Sequence, residues 1–200
     1  MPKRGALAVV LAAALLSSPG AGAATGKPLA FVTVTQGASQ PTAAIEHNWG
    51  KAFALVMTSI SDAYAFQTLL SKDEFETLQA VSFQTHFVIG VVVPEHTSGY
   101  SVTIKRITLQ RISPSRRQFC IVARVDAPKQ GKAIVQEGRL TEQTVKLSSR
   151  RFRIDEFHWA IPTRWVVRES RGKLLGASRA GGGYNGYGAK VTGKAAACRA

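Results

Sequence analysis

The spacing of apolar positions changes period several times along this 200-residue chain, and each change predicts an element. Residues 29–35 carry Phe31, Val32 and Val34 in a strand-like run, which Gly37 and Pro41 are expected to break. Residues 53–57 form a second short apolar run that fits a strand or a helix. Ser71 followed by Glu74 is a capping-box pattern that opens a helix over 72–80, with Phe75 and Leu78 on one face. Asp73 and Glu74 fall in its first turn, where the helix dipole favours negative charge.

From residue 86 onward the pattern is β-rich. Residues 86–93 are almost continuously apolar, as in a strand covered on both faces, and Pro94 is expected to end it. After a turn at 95–99, Tyr100, Val102 and Ile104 alternate with polar residues, and the apolar parity then flips to Ile107 and Leu109. That flip predicts a bulge near Lys105–Arg106. Phe119, Ile121, Ala123 and Val125 line one face of the next strand. Residues 126–131 suggest a hairpin connection, with 132–136 starting back. Val145 and Leu147 mark a further strand. Residues 161–167 alternate cleanly, with Pro162 restricting that strand's start to an edge. The expected fold is mainly β: a single β-sandwich-like or small α+β domain with one short helix.

Residues 1–23 add a different signal. Lys3 and Arg4 precede an apolar stretch, and Ala21, Gly22 and Ala23 supply small residues for cleavage, which is the order of a secretory signal peptide. The longest apolar run, residues 5–16, is shorter than the roughly 20 residues a membrane-spanning helix needs. The organisation expected is a signal peptide over 1–23, strands and linker over 24–59, a β-rich domain over 60–175, and a Gly/Ala/Lys-rich flexible tail over 176–200. A periplasmic or secreted location follows from that signal. Export makes the two cysteines informative, because oxidising compartments permit disulfides. Cys120 and Cys198 either pair across 78 residues or remain a small buried apolar side chain and a free thiol; the sequence leaves both open.

Charge changes the picture further. The net charge is +14, with five basic and six acidic residues in 1–100 against 21 basic and six acidic in 101–200. A positive face of this kind attracts acidic proteins or other anionic envelope components and makes binding salt-dependent. Nucleic acid is disfavoured by the export signal and by the absence of a recognisable binding motif.

The sequence offers no strong catalytic pattern. His47, His86, His96 and His158 lack the short paired spacing of metal ligands, so no metal site and no cofactor are expected. His86 and His158 read as packing residues. No G-x-S-x-G nucleophile elbow and no glycine-rich phosphate loop after a strand is present, so an enzyme is not expected.

The most specific stretch is Thr97, Ser98, Gly99, Tyr100, Ser101 and Val102. Thr97 and Ser98 can bond their own backbone, Gly99 permits positive φ, and Tyr100 supplies an amphipathic anchor. With the helix at 71–78, the strand at 83–93 and the later strand at 161–167, this turn resembles the C-terminal domain family of the PrcB protease-complex subunit over roughly residues 60–170. The chain departs from that pattern at Ser98, in its arginine-rich segment 150–153, and in having no lipid-anchor cysteine. The resemblance implies a non-enzymatic module that binds or stabilises a secreted or envelope protease. The turn is also similar to the loop of chagasin-type protease inhibitors, which ranks inhibition as an alternative. A second alternative is a basic anion-binding envelope protein acting through net charge and tail. The residues expected to touch a partner are Thr97, Ser98, Gly99 and Tyr100, with Arg150, Arg151 and Arg153 meeting acidic groups through bidentate contacts.

Overall fold

A computed structural model of the chain describes residues 26–39, 52–67, 70–95, 98–113, 116–128, 139–153, 160–162, 164–177 and 198. The expected signal segment 1–23, the strand start at 132–136, Thr97 and the tail between 178 and 197 lie outside the described residues. The fold is mainly β, with two four-stranded sheets. The first contains β1 (Val32–Ser39), β6 (Arg139–Ser148), β3 (His86–Glu95) and β2 (Phe53–Met57), in that order. The second contains β4 (Ser101–Ser113), β5 (Arg116–Asp126), β7 (Trp165–Glu169) and β8 (Leu174–Ala177). Every pairing is antiparallel except β5 with β7.

The sheets face each other across one apolar core. Phe87, Ile89, Val91, Val145 and Leu147 meet Val102, Ile107, Phe119, Ile121 and Val167, all buried. Both seams between the sheets are closed by backbone hydrogen bonds: Leu29 N donates to Ile107 O at 2.8 Å, and Ala52 N donates to Leu175 O at 3.0 Å. These bonds satisfy groups that an open sheet edge would leave unpaired.

Two short helices follow β2: α1 (Ile60–Phe66) and α2 (Lys72–Gln79). Each begins with a reciprocal capping box, Ser59 with Asp62 and Ser71 with Glu74. The second is the helix expected from sequence, and its Phe75 and Leu78 are buried. The first went unread because its box closes on Asp62 instead of Glu or Gln, and no clear apolar stripe accompanies it.

The expected bulge is present: the β4–β5 register shifts between Ile104 and Arg106. Gln143 from the opposite sheet fills part of the irregularity, its Oε1 accepting from Ile104 N and its Nε2 donating to Thr33 Oγ1 at 3.0 Å.

Several expectations are corrected. β1 runs through Gly37 to Ser39, because β6 pairs with it over that whole length. Pro94 lies within β3, opposite Leu140; the last β2 pair is at Val92, so one side of the strand carries no ladder there. The strand expected at Val145 and Leu147 is β6, which lies in the first sheet between β1 and β3. The strand near residue 161 starts only at Trp165, after Pro162, and lies between β5 and β8 instead of at an edge. Residues up to Ala177 belong to β8, so the sheet extends past the expected domain end at 175.

Cys120 and Cys198 form a disulfide, with their Cα atoms 5.5 Å apart. Together with Val166 and Ala177 they make a small buried apolar cluster on the outer face of the second sheet. Among the described residues, no helix is long and apolar enough to cross a membrane.

Candidate partner-binding site

The arginine-rich segment sits at one end of the sandwich, where the start of β3 meets the end of β6. His86 pairs with Ser148 there, and Ser149 N donates to Thr85 O at 3.0 Å. The chain then makes a single 3-10 turn over Arg150–Phe152. Phe152 fixes this turn: its ring is buried, 5.2 Å from Phe87 and 5.9 Å from Phe119, while Phe87 and Phe119 stack at 5.6 Å. Arg150, Arg151 and Arg153 flank that anchor and stay exposed. One apolar residue among cations thus places three guanidinium-bearing side chains on the surface of a rigid end.

Beside the turn lies a cavity of about 580 Å³. Its lining includes Thr85, His86, Ser148, Ser149, Arg150 and Arg153, with no aspartate or glutamate among the described lining residues. Thr85 Oγ1 is 2.8 Å from His86 Nδ1, which fixes the imidazole against its neighbour. Ser149 is only 1% exposed, and among the described residues its hydroxyl has no hydrogen-bond partner. A buried polar atom without a partner costs about 1–3 kcal/mol, so this hydroxyl favours any polar guest that reaches it. The chemistry of the cavity is therefore that of an anion receptor: guanidinium groups for bidentate contact, an imidazole, and hydroxyl donors.

The turn at residues 98–100 is at the other end of β3, where Glu95 pairs with Arg139. β3 has ten residues, so the two ends are about 30 Å apart. The structure therefore does not bring Ser98, Gly99 and Tyr100 together with Arg150, Arg151 and Arg153; Thr97 lies outside the described residues. Gly99 has φ +88°, and a Cβ there would stand 2.9 Å from Pro128 Cβ. Gly99→Ala should destabilise the fold by about 1–2 kcal/mol through left-handed backbone strain and this contact. A urea midpoint equal to that of the unaltered chain would refute the requirement for glycine.

Sequence reasoning singled out the arginines but missed His86, Thr85, Ser148 and Ser149. The only local signal was that Ser148 and Ser149 immediately precede Arg150. The rest depends on β3–β6 pairing. Among the described residues, no group of three or more His, Cys, Asp or Glu could hold a metal ion. Comparison with known proteins found no matching family model, no similar curated protein and no similar solved structure.

Proposed function

We propose that this chain is an exported, non-enzymatic binding module whose protein partner presents acidic groups to the Arg150–Arg153 end. The observation that carries this reading is the cation-lined cavity beside a turn pinned by Phe152. A rigid receptor loses little conformational entropy on docking, so its contacts are not offset by ordering costs. A secreted or envelope protease is the partner class that the PrcB-like resemblance suggests, with stabilisation ranked ahead of inhibition. The inhibitor reading draws on the turn at Ser98–Tyr100, whose Gly99 is braced against Pro128.

Affinity capture from a cell envelope, washed at rising salt, tests the proposal. The unaltered chain should retain a specific partner beyond physiological ionic strength. The Arg150→Glu, Arg151→Glu double variant should bind that partner about 10–100-fold more weakly. Its unfolding should stay within about 0.5 kcal/mol of the unaltered chain, because both side chains are exposed. Equal retention by the two proteins would reject the arginine end as the contact. Release of a diffuse acidic mixture at moderate salt would instead favour binding by net charge alone.

A further inference from the structure

Glu142 lies in the middle of β6, yet it is 0% exposed. Its neighbours Thr141 and Gln143 point toward the second sheet, as the Gln143 bond to Ile104 shows. Strand alternation therefore directs Glu142 and Thr144 to the opposite, outer face of the first sheet, the face that α2 covers. On β1, Gly37 pairs with Glu142 and Thr35 pairs with Thr144. A Cβ on Gly37 would collide with the carboxylate of Glu74, so the missing side chain is what admits the α2 carboxylate to this spot. Glu74 Oε2 accepts from Ser71 N at 2.8 Å as part of the helix cap. Because Gly37 pairs with Glu142 across the β1–β6 ladder, that carboxylate stands beside Glu142.

Glu142 Oε2 accepts from Thr35 Oγ1 at 3.3 Å, and the Thr35 and Thr144 hydroxyls are 2.7 Å apart. Among the described residues Glu142 Oε1 is buried without a hydrogen-bond partner, and the Glu74 carboxylate occupies the space over the paired Gly37. Two carboxylates can hydrogen-bond to each other only when a proton lies between them. We propose that the Glu74–Glu142 pair, joined by one shared proton, is a pH-operated latch that fastens α2 to the outer face of the first sheet.

Burial pushes Glu142 up to about 8 from an ordinary value of 4.5, and the Glu74 charge adds to the rise. Around the pair, α2 contributes Glu74, and β6 contributes Lys146 on the same face four residues along, half-buried. Among the described residues, β1 presents Thr35 and Gly37 on that face, and β3 presents Gly90 and Val92, none of them charged. On α2, Lys72 and Glu76 pair with each other in solvent, 3.9 Å apart. The folded chain keeps a proton that the unfolded chain releases near 4.5. The latch is therefore fully effective below that pH, weakens as pH rises between 4.5 and about 8, and is lost above about 8. Losing the proton places two negative charges together in a dry site, and the least costly relief is for α2 to lift and hydrate them. The device is independent of the arginine end.

The test combines carboxyl-carbon NMR titration with amide hydrogen exchange of α2 between pH 5 and 9, corrected for intrinsic rates. The Glu142 carbon should titrate near 8, and α2 opening should increase by at least about tenfold over that range. Glu142→Gln, which keeps the shape and removes the titration, should abolish the increase. Should that variant fail to fold, Glu74→Gln, at a half-buried position, should lower the Glu142 midpoint and flatten the same profile. A Glu142 midpoint near 4.5, or α2 opening that does not change with pH, would overturn the latch.

Discussion

Replacing both Cys120 and Cys198 with alanine is expected to destabilise the fold by about 4–5 kcal/mol, the largest effect of any change in this chain short of disrupting the core. The bridge closes 78 residues, and in the chain-entropy model a loop of that length restricts the unfolded state by about this amount. For a domain of this size the loss corresponds to a fall in melting temperature of roughly 10–20 °C. Both sulfurs also help fill the apolar cluster with Val166 and Ala177 on the outer face of the second sheet. Adding a thiol reductant should lower the melting temperature of the unaltered chain and leave the double variant where it is. Should the double variant melt within about 1 °C of the oxidised protein, the bridge would have no stabilising role.

Phe152→Ala should be nearly as costly, about 3–5 kcal/mol, because it removes a buried ring from contact with two others and leaves a cavity. Its consequence should extend beyond stability. Phe152 is the attachment of the 3-10 turn, so without it Arg150 and Arg153 would no longer be held at the cavity. Under conditions where the variant is still folded, partner affinity should therefore fall although no contacting charge has been removed. Arg151→Ala supplies the comparison: it should leave stability unchanged within about 0.5 kcal/mol. Folded Phe152→Ala with undiminished affinity would separate the turn's anchoring from its binding.

Much of the local structure was legible because local chemistry specifies it. Ser71 and Glu74 marked the start of α2, and the parity change between Ile104 and Ile107 marked the bulge in β4. The inward face of β5 could be read directly from Phe119, Ile121 and Ala123. The assignment of strands to sheets could not be read in this way, since alternation gives a strand's faces but not its neighbours. Val145 and Leu147 thus marked a strand without showing that β6 lies between β1 and β3. The same limit hid two polar clusters. Glu142 sits in a polar run that looks solvent-facing until α2 is placed over it, and His86 meets Ser148 only through long-range pairing. Nor does the sequence show that the two stretches expected to touch a partner stand at opposite ends of β3.

The pairing of β1 with β6 joins residues more than a hundred positions apart, as the Thr35–Thr144 bond across 109 positions shows. During synthesis β1 emerges first but cannot be completed until nearly the whole domain has followed. The first sheet must therefore close late, and a topology dominated by such distant contacts folds in milliseconds to seconds, slower than helical domains of similar size. Until then β1 is an unpaired strand in search of a partner, and β6 offers an unprotected edge to any other chain nearby. Yield in refolding should consequently depend on protein concentration far more than the closed seams of the finished sandwich suggest.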